Sequence, residues 1–201
     1  MPKNMVVKLV YPLRRLLAEL LKVPGFYFSE GLHPLELNES DIPSNYLHRE
    51  LMDLGSASGT RFTELRRLFK PHSYLGIDKD ENQVAVGKLK LLDMQQMDFI
   101  YDEMNGDLGV AFGTNVSPDI ADKLSREFKN LVIGDYSYSK EKVDAETVAQ
   151  KYRDKLQGMV DKILIRKRRV TSLSLGRGYE IYIFIKSHTS EGEKLTEREV
   201  T

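Results

Sequence analysis

The sequence predicts an α/β protein: a three-layer sandwich in which helices cover both faces of a mostly parallel sheet. An antiparallel final strand closes the sheet, and a helical N-terminal extension precedes it. Three observations carry this expectation. Between Glu50 and Lys186, short apolar runs alternate with segments of helical periodicity, as in strands joined by crossover helices. One such run, Glu50 to Leu54, stops at Gly55 and a series of small residues to Gly59 before a helix begins. The last run, Tyr179 to Ile185, is apolar at both alternating sets of positions, as in a strand covered on two sides.

Composition narrows the class. Hydrophobic residues make up 41% and charged residues 30% of the 201, enough apolar surface for one domain-sized core. Thirty Lys and Arg balance thirty Asp and Glu, so bulk attraction to nucleic acid is disfavoured and a local basic patch is the remaining route. With no cysteine, disulfides, thiolate zinc sites, iron–sulfur clusters and cysteine nucleophiles are excluded. No run approaches the roughly 20 apolar residues of a membrane span. A cytoplasmic protein without a secretory leader is the expectation.

Leu13, Leu16, Leu17, Leu20 and Leu21 recur at helical spacing and predict an amphipathic leading helix, ended by Pro24-Gly25. Gly31, Pro34 and Pro43 mark an irregular connector. Residues 1–45 are therefore expected to form a helical extension or lid, 46–187 the α/β domain, and 188–201 a charged flexible tail. In the domain, Glu50–Leu54 is the first strand, a helix carries Phe62, Leu65, Leu68 and Phe69 to Pro71, and Ser73–Ile77 is the second strand. One long helix is predicted over Glu81–Met104. Strands at Met97–Tyr101 and Leu108–Phe112 would leave too short a link for a parallel crossover. Leu108–Phe112 is the third strand, Pro118 opens a helix bearing Ile120, Leu124 and Phe128, and Asn130–Ile133 is the fourth strand. A helix over Asp144–Met159 and strands at Lys162–Ile165 and Tyr179–Ile185 complete the series.

The segment Asp53-Leu54-Gly55-Ser56-Ala57-Ser58-Gly59 is the most informative for chemistry. A strand running through small residues into a helix makes a tight turn that lets a ligand approach the backbone amides. Asp78 ends the next strand, about 20 residues on, where a carboxylate accepts hydrogen bonds from both hydroxyls of a ribose.

On these residues the chain resembles the class I S-adenosylmethionine-dependent methyltransferases. Their first strand and turn commonly read Asp-Leu-Gly-x-Gly-x-Gly, or Asp-Leu-Gly-x-Ala-x-Gly in some branches. The resemblance spans about Glu50 to Ile185. It implies a Rossmann-like fold and S-adenosyl-L-methionine as cofactor. Gly55, Ser56, Ala57 and Gly59, with Asp53, would line the methionine moiety, Asp78 would hold the ribose, and Asn115 would meet the adenine. A nicotinamide-binding protein is the rival, and Ala57 and the antiparallel-looking final strand argue against it.

Two branches bear on the methyl acceptor. The RNA ribose 2′-O-methyltransferases use a Lys-Asp-Lys-Glu set, which the resemblance maps onto Asp135, Lys167 (with Lys162 nearby) and Glu180, leaving Lys22 as a guess for the first Lys. The small-molecule O-methyltransferases often end their fourth strand Asp-Gly-Asp-His-Ser-Tyr, against Ile133-Gly134-Asp135-Tyr136-Ser137-Tyr138 here. Ile133 and Tyr136 replace the Asp and His of that motif, so a metal-dependent version is not expected. The basic run Lys162, Arg166, Lys167, Arg168 and Arg169, with Arg177, reads either as solvated surface or as a phosphate-binding edge. His33, His48, His72 and His188 show no metal-ligand spacing, and His33 or His48 could cover the pocket. Methyl transfer to RNA ribose stands ahead of a small-molecule acceptor, and a noncatalytic methyltransferase-like binding protein stays open.

Overall fold

The computed structural model describes residues 35–114, 116–139, 142–167 and 178–187. The expected leading helix, the charged tail, Asn115, Arg168, Arg169 and Arg177 lie outside the described residues.

Two short 3₁₀ turns, Glu39–Asp41 and Ser44–Tyr46, lead into β1 (Glu50–Leu54), α1 (Phe62–Phe69) and β2 (Ser73–Asp78). Then follow α2 (Glu81–Leu89), β3 (Met94–Gln96), β4 (Gly106–Phe112), α3 (Pro118–Glu127) and β5 (Phe128–Ser139). The series ends with α4 (Lys142–Lys155), β6 (Val160–Lys167) and β7 (Tyr179–Lys186). The seven strands form one sheet in the order β3-β2-β1-β4-β5-β7-β6. β7 runs antiparallel to β5 and β6, and the other pairs are parallel.

Strand alternation builds two cores. In β7, Ile181, Ile183 and Ile185 join Leu124 of α3 and Ala145, Ala149 and Tyr152 of α4 on one face. Tyr182 and Phe184 join Leu65, Leu68 and Phe69 of α1 and Tyr46 on the other. The three-layer arrangement and the antiparallel last strand are those expected from the sequence. Ser117 caps α3 by accepting a hydrogen bond from the Ile120 amide, with Pro118 in the first turn. On the other face, residues 35–46 form a strap. The Asp41 carboxylate meets Arg166 at 2.5 Å, Lys162 donates to the Asp41 carbonyl at 2.7 Å, and Asn45 donates to Asn130 at 3.0 Å.

The long helix expected over Glu81–Met104 is not formed. α2 stops at Leu89, Leu91 takes a left-handed φ of 61°, and Met94–Gln96 pairs with β2 as an outer strand. The reason lies in two glycines. A Cβ on Gly76 would stand 2.4 Å, and one on Gly87 2.8 Å, from the Met94 sulfur, so both leave space in which Met94 nests. The crossover argument assumed an ordinary helical link to β4. The chain instead returns through the irregular segment 97–105, which buries Phe99 without a helix. Lys123 of α3 holds that segment by donating to the carbonyls of Phe99 (3.2 Å) and Asp102 (2.7 Å). The fourth strand of the sequence reading is also longer than expected, running as β5 from Phe128 to Ser139.

Phe128 closes the core between β4 and β5. A Cβ on Gly106 or Gly109 would come within 2.9 Å or 3.0 Å of its ring, so the two glycines form its seat. Phe128→Ala should lower the unfolding free energy by about 3–5 kcal/mol, read as a lower urea midpoint with an unchanged slope.

Candidate functional site

From β1 the chain goes to β2 and β3 on one side, then returns to β4 on the other. Such a reversal opens a crevice beyond the carboxyl ends of the strands, where α/β sheets bind ligands. The turn after β1 and Asp78 at the end of β2 both lie at this edge.

Gly55, Ala57 and Gly59 all take positive φ, at 69°, 51° and 68°. A side chain strains this conformation, which is why small residues fill the turn. The turn is fastened to β2 by two backbone donors. The Ser56 amide donates to the Ile77 carbonyl at 2.9 Å, and the Ala57 amide donates to Asp78 Oδ2 at 2.7 Å. The other Asp78 oxygen accepts from the Asp80 amide at 2.9 Å. An ionised carboxylate offers about four lone-pair sites, so these two bonds leave Asp78 with acceptor capacity for hydroxyl groups. The side chain is half-buried, held at the junction of turn and strand. A Cβ on Gly55 would stand 2.2 Å from Thr114 Cγ2 and 3.5 Å from the Phe99 ring. The end of β4 and the segment after β3 therefore converge on the turn.

Beneath the turn lies a buried polar cluster. Asp53, 2% exposed, accepts a hydrogen bond from the Tyr74 hydroxyl at 2.9 Å. Burial pushes its carboxyl up to about 6, against the Tyr74 hydrogen bond and the nearby Arg61 charge, which pull it down. Burial also raises the Tyr74 hydroxyl, and the Asp53 charge adds to that shift. Arg61 pairs with Glu64 at 3.2 Å, and the other Glu64 oxygen accepts the Leu35 amide at 2.7 Å. Sequence reasoning missed Arg61, Tyr74, Phe99 and Thr114. Only the glycines of the turn hinted that large neighbours close in on it.

Because β7 is antiparallel, its start lies at the same edge as the end of β6. Asp135, Lys167 and Glu180 therefore belong to one end of the sheet, but not to one face. Glu180 pairs with Arg166, whereas Lys167 pairs with Tyr179 and Asp135 with Ile181, so the pleat assigns these two backbone positions to the opposite side. Glu180 is 1% exposed and accepts a hydrogen bond from the Tyr182 hydroxyl, which itself accepts the Glu36 amide at 2.8 Å. Of the basic run, Lys162 and Arg166 bind Asp41, and Lys167 is exposed. Burial tends to raise the Asp41 carboxyl, but the Asn38 amide, Arg166 and Lys162 together hold it below the usual carboxylate range.

Two of the scattered histidines meet in space. The rings of His48 and His72 lie 5.9 Å apart, before β1 and β2 at the opposite edge of the sheet, so His48 does not cover the crevice. Among the described residues, no three His, Asp or Glu gather as a metal would require. No helix among them is long and apolar enough to cross a membrane.

The fold agrees with solved structures. A protein of Pyrococcus horikoshii described as a candidate RNA methyltransferase is 14% identical, with a TM-score of 0.52 over 93% of this chain and 86% of that one. The fold is that of the class I S-adenosylmethionine-dependent methyltransferases. The magnesium protoporphyrin IX methyltransferase of Synechocystis, with S-adenosylhomocysteine bound, is 11% identical, with a TM-score of 0.52 over 71% of this chain and 76% of that one. A Thermoplasma acidophilum protein is 13% identical, with a TM-score of 0.55 over 72% and 78%. No protein-family profile matches the sequence, and no curated protein does. This methyltransferase fold is thus carried by a sequence far from those of its structural neighbours.

The raised Asp53 carboxyl has a signed consequence for stability. The folded state binds this proton more tightly than the unfolded state, so the contribution is complete below about pH 4 and lost as pH rises through about 6. The stability of Asp53→Asn relative to wild type should therefore grow by about 2–3 kcal/mol between pH 4 and pH 7, measured by urea unfolding. A constant difference would contradict the assignment.

Proposed function

We propose that the protein is a methyltransferase using S-adenosyl-L-methionine, with RNA ribose as the acceptor. The observation that carries the first part is the 2.7 Å hydrogen bond between the Ala57 amide and Asp78 Oδ2. It joins the turn after β1 and the acid after β2 into one surface at the point where the strand order reverses. In this reading Asp78 accepts the ribose hydroxyls with its remaining lone pairs. Gly55, Ser56, Ala57 and Gly59 give the methionine portion a wall without bulky side chains. Asp53 stiffens that wall from below through Tyr74, and Asn115, outside the described residues, is the proposed adenine contact.

The cofactor would supply an already activated methyl group on a sulfonium. The chain's task is then alignment of the acceptor and removal of its proton. Asp135, Lys167 and Glu180, at the same end of the sheet, are the proposed acceptor-side groups. Tyr182 orients Glu180 by donating to its carboxylate. An RNA acceptor is supported by the exposed Lys167 of the basic run, and by the coverage of 93% of this chain by the Pyrococcus neighbour. The burial of Glu180 favours a second reading, a methyltransferase-like protein that binds cofactor without catalysis.

S-adenosylhomocysteine at about 100 times its dissociation constant should stabilise the fold by about 2.7 kcal/mol, a rise in Tm of about 5–10 °C. Asp78→Ala should lose that increment, whatever its own starting Tm. No rise in wild type at millimolar ligand would remove the cofactor reading. With labelled S-adenosylmethionine, label should enter total RNA rather than a small-molecule extract, and Asp135→Ala should reduce transfer while keeping the thermal shift. Binding without transfer to either pool would favour the noncatalytic reading.

A further inference from the structure

We infer that Lys90 is a positioning residue for the cofactor turn, acting from behind it at the C-terminal end of α2. The inference rests on the reading of that turn as a cofactor site. The Lys90 side-chain nitrogen donates to the Ser58 carbonyl at 3.1 Å and to the Ser58 hydroxyl at 3.2 Å. Ser58 is 1% exposed, so both oxygens are withdrawn from water and need partners inside the protein. Lys90 serves both with one cationic donor, which makes the bonds charge-assisted and stronger than neutral ones.

The neighbouring residues show that this contact belongs to a wider seat. A Cβ on Gly59 would stand 2.2 Å from Leu92 Cδ1, so the Leu92 side chain occupies the space that Gly59 leaves. Met94 fills the corresponding space at Gly76, where a Cβ would also stand 2.9 Å from the Ser56 hydroxyl. The turn that ends α2 and the start of β3 thus bring Lys90, Leu92 and Met94 against Ser58, Gly59 and the Ser56 region. Leu91 between them is 94% exposed.

Leu92 and Met94 supply packing, which fixes distance but tolerates sliding. Lys90 supplies the directional element. The opposite end of α2 is tied to the same site, since Asp80 caps the helix by accepting the Asn82 amide and donates its own amide to Asp78 at 2.9 Å. The two caps of the helix therefore brace both parts of the crevice, Asp78 from Asp80 before its first turn and Ser58 from Lys90 just past its last residue. Loosening Lys90 would leave Asp78 in place and let the second half of the turn drift.

The test titrates S-adenosylhomocysteine by calorimetry into wild type, Lys90→Met and Lys90→Arg, and follows amide hydrogen exchange of the unliganded proteins. Lys90→Met, which removes both bonds to Ser58, should bind about tenfold more weakly. Exchange should quicken at residues 58–61 and stay unchanged in β4 and β5. Lys90→Arg, which keeps a cationic donor, should recover most of the affinity. Equal affinity in wild type and Lys90→Met would overturn the inference. So would exchange that quickens uniformly through the sheet, the mark of a merely structural role. If wild type itself does not bind S-adenosylhomocysteine, the methyltransferase reading fails. The exchange at residues 58–61 then decides Lys90 alone: faster exchange upholds its hold on the turn, and unchanged exchange overturns it.

Discussion

The hydrogen bond from the Ala57 amide to Asp78 is the constraint on which the candidate site depends. The turn after β1 needs positive φ at Gly55, Ala57 and Gly59. For Ala57 the left-handed conformation costs about 1–2 kcal/mol. A hydrogen bond to a charged acceptor contributes about 1.5–3 kcal/mol, which offsets the strain only if the carboxylate stays where β2 delivers it. The strained turn and the acid are therefore one structural unit. Moving Asp78 would release the turn, and reshaping the turn would strip Asp78 of a donor.

The packing around this unit follows a single scheme, in which glycines leave space and larger residues from elsewhere in the chain fill it. Thr114 closes on Gly55, Leu92 on Gly59, and Met94 on Gly76 and Gly87. Each contact crosses between strands or loops, so the β3 edge and the end of β4 are both indexed to the turn. The same scheme seats Phe128 on Gly106 and Gly109 deeper in the sheet. It explains how a short three-residue outer strand is held without a long helix before it.

Much of the fold was legible from local pattern. The double-sided apolarity of residues 179–185 identified a strand covered on both faces, and the small residues after Leu54 identified the turn. The outer strand was not legible, because Ala85, Leu89, Leu92, Phe99 and Ile100 recur at helical offsets that carry a helix pattern across it. The deciding contacts, Met94 on Gly76 and Gly87, are tertiary. The strap was equally hidden, since nothing near Asp41 in sequence signals that it meets Arg166, 125 residues away. Within the candidate site, Gly55, Ala57, Gly59 and Asp78 were read from spacing. Asp53 was read as a pocket residue, but its partner Tyr74 lies 21 residues on and has no local signature. The faces of Asp135, Lys167 and Glu180 depend on strand register, which the sequence does not encode locally.

The most direct measurement is a crystal structure of the protein grown with S-adenosylhomocysteine. The ribose hydroxyls should lie within hydrogen-bond distance of Asp78, with the Ala57 amide still bonded to the same carboxylate and the homocysteine portion along Gly55–Gly59. A ligand bound away from this crevice, or an Asp78 side chain turned from the turn to admit it, would contradict the account.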